Sequence, residues 1–183
     1  MKILQITSSF YPVIGGQEKV VLETSKELVK MGHDVTILTT DLFREDQKLP
    51  SNEEIEGINV VRLKNKFYLK GYGYSPGAVK WLKNNWKDYD LVHSHGYNRF
   101  LSEYALFYLR NKVPTFFSAH GFIHTKKNYF FKKIHDITLG KVVKYAKKCT
   151  ALTKLDYAEY SKLGVPTDKV MDLPNGVDVD KYN

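Results

Sequence analysis

Residues 2–40, KILQITSSFYPVIGGQEKVVLETSKELVKMGHDVTILTT, decide the architecture. The first of them, 2–8, have the β-branched and apolar character of a strand, 11–16 hold turn residues, and a helical period begins at Gln17. Val20, Val21, Thr24, Leu28 and Met31 recur so as to share one helix face, with Glu23, Lys26, Glu27 and Lys30 toward water. Gly32 stops the helix, and residues from His33 or Asp34 through Thr40 return to the Val, Ile, Leu and Thr composition of a strand. Strand, helix and strand make a crossover unit, right-handed if the two strands are parallel.

The alternation continues outward from that unit. Strands are predicted at 58–63, 90–94, 115–119, 149–153 and 170–173, with helices at 76–86, 100–111, 130–148 and 154–163. Segments 43–57 and 67–75 lack clear periodicity and read as loops. Regular alternation in one chain predicts an α/β fold with a Rossmann-like, doubly wound, mostly parallel sheet and helices on both faces.

The 183 residues, 43% apolar and 14% aromatic, suit one globular domain with a substantial core. No run of 18 apolar residues occurs, and the opening MKILQITSSF lacks a signal peptide's apolar core, so the expectation is a soluble, cytoplasmic protein. Cys149 is the only cysteine, which rules out an intrachain disulfide, and its apolar neighbours predict an ordinary buried thiol. A net charge of +8 gives a field that attracts nucleotide diphosphates, anionic lipid or nucleic acid. No zinc-finger spacing, basic zipper or aromatic RNA-binding signature accompanies it, so a nucleic-acid partner is not expected.

In such sheets ligands bind outside the carboxyl ends of the strands, where successive crossovers diverge. Gly15 and Gly16 follow the first strand, His93 and His95 the fourth, His120 and Gly121 the fifth, and Thr153 and Lys154 the sixth. The glycine pair reads either as a close approach to a phosphate or hydroxyl at a helix start, with positive φ available, or as a tight turn without a ligand. The dinucleotide and P-loop glycine patterns are absent, which disfavours a standard NAD or ATP site. Glu18 in the first turn complements the helix dipole. His93, His95 and His120 could converge as a zinc site of a metal-dependent hydrolase, although no metal-binding carboxylate is apparent. The competing reading keeps one of the first two structural and lets the other line the cleft. His120 before Gly121 is placed to donate a hydrogen bond or polarise a substrate oxygen. His124 is a weaker candidate, while His33 and His135 are read as solubility or packing residues. The 130–148 helix carries Phe131, Ile134, Val142, Val143 and Ala146 as a stripe and six lysines. With Lys126 and Lys127 it is either a helix packed on the sheet or a surface that rests on anionic membrane.

The opening 39-residue stretch, DLVHSHG at 90–96, FFSAHG at 116–121 and the closing ALTKLDYAEYSKLGVPTDKVMDLPNGVDVDKYN together resemble glycosyltransferase family 4, and they stand in that family's order. The resemblance implies one of the two domains of a GT-B fold, with residues 1–174 as the acceptor-side domain and 175–183 as the start of the interdomain linker. It implies that a C-terminal nucleotide-sugar domain is absent and that the chain alone is close to inactive. By position, Gly15 and Gly16 match the loop that approaches the donor diphosphate and the acceptor, and Glu18 matches the acidic residue after it. His120 matches the cleft histidine that contacts the transferred sugar. Asn175 and Gly176 match the turn into the linker, while His93 and His95 match a structural or acceptor-side pair. The implied reaction is retaining transfer of a sugar from a UDP- or GDP-linked donor to a glycan, lipid or small-molecule acceptor. No cofactor or obligatory metal is implied, and protein donors would stabilise the leaving group. A non-catalytic sugar-binding module remains the alternative.

Overall fold

The computed structural model describes residues 1–41, 49–69, 72–122 and 129–176. The first crossover unit forms as predicted, with β1 (Lys2–Ile6), α1 (Gly16–Lys30) and β2 (Asp34–Thr40). Then come β3 (Asn52–Ile55), β4 (Ile58–Leu63), β5 (Phe67–Leu69), β6 (Tyr72–Tyr74) and α2 (Pro76–Asn85). The second half holds β7 (Leu91–His95), α3 (Phe100–Leu109), β8 (Thr115–Ser118), α4 (Tyr129–Ile137), β9 (Lys148–Ala151), α5 (Lys154–Lys162) and β10 (Val170–Asp172).

Eight strands form one sheet in the order β10-β9-β8-β7-β1-β2-β4-β3, parallel except for the β3–β4 pair. After β1 the chain winds outward to β2 and β4, then returns to β7 on the other side of β1 and winds outward again to β10. The crossovers therefore diverge between β1 and β7, which fixes where a ligand site belongs. Central parallel strands are covered on both faces, so they read as nearly continuous apolar runs. On one face Leu4, Ile6, Leu38 and Val92 pack with Ala78 and Leu82 of α2 and Leu101 and Ala105 of α3. The same face continues through Phe117 and Cys149 to Tyr160 and Leu163. On the other face Val21 of α1 packs against Val35, Ile37 and Val60.

Four expectations need correction. Part of the 43–57 segment is strand, because the polar NEEI of β3 is an edge strand running antiparallel to β4. Glu56 (φ 53°) and Gly57 (φ 79°) make the two-residue turn that such a hairpin favours, and edge strands carry charge without cost to the core. The 67–75 segment likewise holds the β5–β6 antiparallel pair. On α1 the buried residues are Val21 and Ser25, while Thr24 is exposed and Met31, at the C-cap, is 70% exposed. The apolar stripe is thus turned toward Ser25, whose small side chain fits against the sheet.

The predicted 130–148 helix breaks. Helix α4 ends at Ile137, a 3-10 segment covers Leu139–Tyr145, and Lys148 already belongs to β9. The Thr138 hydroxyl donates back to the Ile134 carbonyl at 2.7 Å, a bond that competes with helix continuation. Gly140 sits where a Cβ would come within 2.6 Å of the Tyr97 hydroxyl oxygen and 3.2 Å of Leu163, so the chain tightens against the core there. No single amphipathic face results, since Ile134 is exposed while Val143 and Ala146 are buried. Among the described residues no helix is long and apolar enough to cross a membrane.

Candidate active site

The end of β1 leads into buried Thr7, Ser8 and Ser9, then into the loop before α1. Buried Arg62 of β4 holds this loop, donating to the Tyr11 carbonyl at 2.5 Å while pairing with Glu53. Gly15 is the N-cap of α1 in extended conformation, φ −148° and ψ 174°, so the positive φ allowed for in the glycine pair is not used. Space is what requires glycine there. A Cβ on Gly15 would collide with the Glu18 carboxylate, which is held in place by a hydrogen bond from the Ser9 hydroxyl. Gly16 has nothing within 4 Å of where its Cβ would be, so the space beside the first turn of α1, whose leading amides have no intrahelical acceptor, is open there. Glu18 balances part of the helix's N-terminal charge on the Gly15 side, leaving the Gly16 side for an incoming anion.

Gln17 ties this turn to the neighbouring strand. Its Nε2 donates to Thr7 Oγ1 at 2.8 Å, and a Cβ on Gly96 (φ 88°) would lie 2.8 Å from its Oε1. Gly96 follows β7, so α1's first turn and the end of β7 meet across Gln17.

The strand register places Gln5 opposite His93 and His95 opposite Ser118, with period-two alternation putting all four on one face of the sheet. The His93 and His95 rings lie 3.9 Å apart between centroids. His93 Nε2 is 2.8 Å from Ser118 Oγ, which is 2.7 Å from Thr150 Oγ1. His95, fully buried, has Nε2 2.5 Å from Gln5 Oε1 and Nδ1 2.8 Å from His120 Nε2, and its ring stacks on His120. His120 (φ 54°) and Gly121 (φ 101°) both take the left-handed conformation. For histidine this conformation is uncommon, and it persists here with the imidazole held against His95.

Burial pushes the His93 imidazole down to about 3, helped by the positive charge His120 would carry. Burial also holds His95 well below the ordinary histidine value, and the same cause brings His120 to about 4. All three rings are neutral at pH 7, so each offers one N–H and one lone pair. With both nitrogens of His95 engaged by Gln5 and His120, the rings form a relay and not the three convergent lone pairs of a zinc site. Among the described residues no cluster of three or more His, Cys, Asp or Glu side chains is arranged to hold a metal ion.

Gly15, Gly16, Glu18, His93, His95, His120 and Gly121 thus gather at the switch point. Asn175 and Gly176 do not: they follow the outer strand β10 as exposed chain, with β9 and β8 between them and the histidines. His124, Lys126, Lys127 and residues 177–183 lie outside the described residues. Thr153 and Lys154 open α5, where Asp156 Oδ2 accepts from the Leu152 and Thr153 amides at 2.8 and 2.9 Å. Cys149 is buried and its thiol is pushed up to about 12, which leaves it inert. His135 is a packing residue with a partner, its Nε2 2.7 Å from Glu103 Oε1. Sequence reasoning missed Gln5, Ser9, Gln17 and Ser118. The signal for Gln5 was available, since it is a lone amide within the apolar strand KILQI.

Residues 14–181 match the model of Glycosyltransferase Family 4. Two curated relatives are named GDP-mannose:cellobiosyl-diphosphopolyprenol alpha-mannosyltransferase. The protein of Xanthomonas campestris is 29% identical over 100% of this chain and 48% of its own length, and that of Xanthomonas oryzae is 27% identical over the same shares. The chain spans about half the length of the curated relatives it matches. Among solved structures, Anabaena Alr3699/HepE in complex with UDP-glucose superposes with a TM-score of 0.64 at 16% identity, over 100% of this chain and 46% of that one. The UDP-forming alpha,alpha-trehalose-phosphate synthase of Burkholderia xenovorans gives 0.62 at 13%, over 99% and 51%. These two likenesses bear on the fold, which they share with one half of each chain. The family model covers nearly the whole sequence, from the glycine pair to the segment after β10, and on that match the chain belongs to glycosyltransferase family 4.

Proposed function

We propose that this chain is the acceptor-side half of a retaining glycosyltransferase that takes its sugar from a nucleotide-sugar donor. The observation that carries the reading is the meeting, at the β1–β7 switch point, of an open helix N-terminus at Gly16 with a neutral, strained His120. A diphosphate fits the first, where free amides and the helix dipole favour negative charge. A sugar hydroxyl fits the second, because a neutral imidazole makes a directed hydrogen bond without adding charge. Glu18, fixed by Ser9, keeps anions off the Gly15 side and so orients the approach. His93, linked to Ser118 and Thr150, supports the ring of His95.

GDP-mannose is the first donor to try, because the two curated relatives are named for it, and UDP-sugars are the second class. The same names make a lipid-linked glycan the first acceptor. The remaining half of the catalytic unit is a second domain beyond residues 175–183, which would bind the nucleotide and supply cationic donors to the leaving diphosphate. In this reading neither cofactor nor metal takes part, and charge developing on the leaving group is met by fixed protein donors.

The test is donor turnover by the protein extended beyond Asn183 to its relatives' length, over a panel of GDP- and UDP-sugars with and without a metal chelator. The 183-residue chain and a His120→Asn variant run beside it. Turnover by the extended protein, insensitive to chelator and reduced about a hundredfold in the variant, is the expected result. Turnover that His120→Asn leaves intact overturns the role of His120. Sugar binding without turnover for any donor assigns the chain to a binding module.

A further inference from the structure

We propose that Gln5 is a positioning residue that fixes the tautomer of His120 through His95, so that His120 presents a lone pair and not an N–H to the substrate. The proposal rests on the reading of His120 as the histidine that meets the sugar.

Gln5, His95 and His120 form a line of three hydrogen-bonded side chains along which the protons can be counted. A carboxamide oxygen can only accept, so the contact between His95 Nε2 and Gln5 Oε1 requires the proton to sit on His95 Nε2. Neutral imidazole has no second N–H, and His95 is kept neutral by its burial. Its Nδ1 must then accept, and the partner at 2.8 Å, His120 Nε2, must donate. His120 is neutral too, so its remaining nitrogen, Nδ1, carries a lone pair, and no hydrogen bond to it is found among the described residues. Turning the Gln5 amide over reverses every step and leaves an N–H on His120 Nδ1. The chemistry offered to the ligand is therefore chosen by an amide two hydrogen bonds away, on a different strand. A lone pair takes a hydroxyl that donates, as a free sugar hydroxyl does, and refuses a carbonyl or phosphate oxygen.

Two observations favour a selected role for Gln5 over packing. It is fully buried in the strand at the sheet's switch point, where its neighbours Leu4 and Ile6 are core. Its Nε2 has no hydrogen-bond partner among the described residues, an uncompensated burial that Met or Leu at this position would avoid. Keeping an amide there is explained if its oxygen is the useful atom.

The test is histidine tautomer assignment by two-bond 1H–15N correlation in the 15N-labelled 183-residue chain at pH 7.5. The expected spectrum has His95 and His120 both protonated at Nε2. In Gln5→Met, which keeps volume and removes the acceptor, the His120 signals move toward the Nδ1–H form or an average of the two. In Ser118→Ala, which disturbs the same sheet face without touching the relay, they stay. Nδ1–H at both residues in the unaltered chain overturns the proposal, and that reading stands even if Gln5→Met does not fold. Equal shifts in Gln5→Met and Ser118→Ala also overturn it, because packing alone would then set the tautomer. The readout does not involve sugar transfer, so a wrong tautomer overturns this proposal whatever the turnover, and turnover that His120→Asn leaves intact overturns the underlying reading whatever the tautomer.

Discussion

Lowering the pH from 7 to 5 should destabilise this protein by an amount that two buried histidines, His120 and His93, largely set. His120 protonates near 6.5 in an unfolded chain and near 4 in the folded one, and His93 near 6.5 and 3. Between those values the unfolded chain binds protons that the folded chain does not, so acid favours unfolding. The loss begins as pH falls through about 6.5 and levels off near 4 for His120 and near 3 for His93. Integrating the difference in bound protons from pH 7 to pH 5 gives about 2 kcal/mol for each of the two residues. That figure barely depends on the folded value as long as it stays below 5, because the unfolded titration fills most of the interval. Against a total of roughly 5–15 kcal/mol for an ordinary domain, two such terms are a large fraction. The assay is urea unfolding at pH 7 and pH 5 for the unaltered chain and for His120→Asn, asparagine being among the residues that accept the left-handed conformation found there (φ 54°). Carboxylates titrate alike in both proteins and cancel in the comparison. The variant should lose about 2 kcal/mol less than the unaltered chain over the interval. Equal losses would mean that His120 protonates in the folded state as it does in the unfolded one, and the neutral relay would be refuted.

Gly15→Ala should cost about 1 kcal/mol, because the new methyl drives the Glu18 carboxylate off its hydrogen bond from Ser9. The same change made in a Glu18→Ala background should stabilise by about 0.5 kcal/mol, since φ −148° suits alanine, and a thermodynamic cycle by urea unfolding reads the change of sign. His135→Ala should cost about 3 kcal/mol by leaving the nearly inaccessible Glu103 carboxylate without its partner on α4. Chemical denaturation of that single variant checks it.

The alternation of strands and helices was legible because central strands such as β1 and β2 carry apolar residues to both faces, and period alone separates them from α1. What periodicity could not show was structure made of polar residues. The NEEI strand is charged because it is an edge, and the break after Ile137 depends on Gly140 meeting Tyr97, a residue more than forty positions away. The α1 stripe was misplaced for a related reason. Burial there follows fit to β2 and β4, and Ser25 fits where Thr24 does not.

The candidate site divides in the same way. Glycines and histidines at strand ends could be picked out one by one, since the switch-point rule says where a parallel sheet binds. Which side chains they pair with could not be read, because pairing is chosen by register: His95 and Gln5 are 90 positions apart, and His95 and His120 are 25. Register also explains why His95 and His120 make a relay with His93 packed beside it, and why the three rings do not converge as metal ligands. Rings at period two on β7 lie side by side, as the tilted rings of His93 and His95 do at 3.9 Å between centroids, and the third ring, from the turn after β8, stacks on His95 with its Nε2 2.8 Å from His95 Nδ1. A metal site would need those lone pairs to converge on a point above the sheet, whereas the left-handed turn at His120 folds its ring back toward His95. The left-handed turn at His120 thus points its Nε2 into the protein, and among the described residues no hydrogen bond is found to its Nδ1, the atom that the proposed reading assigns to a substrate hydroxyl.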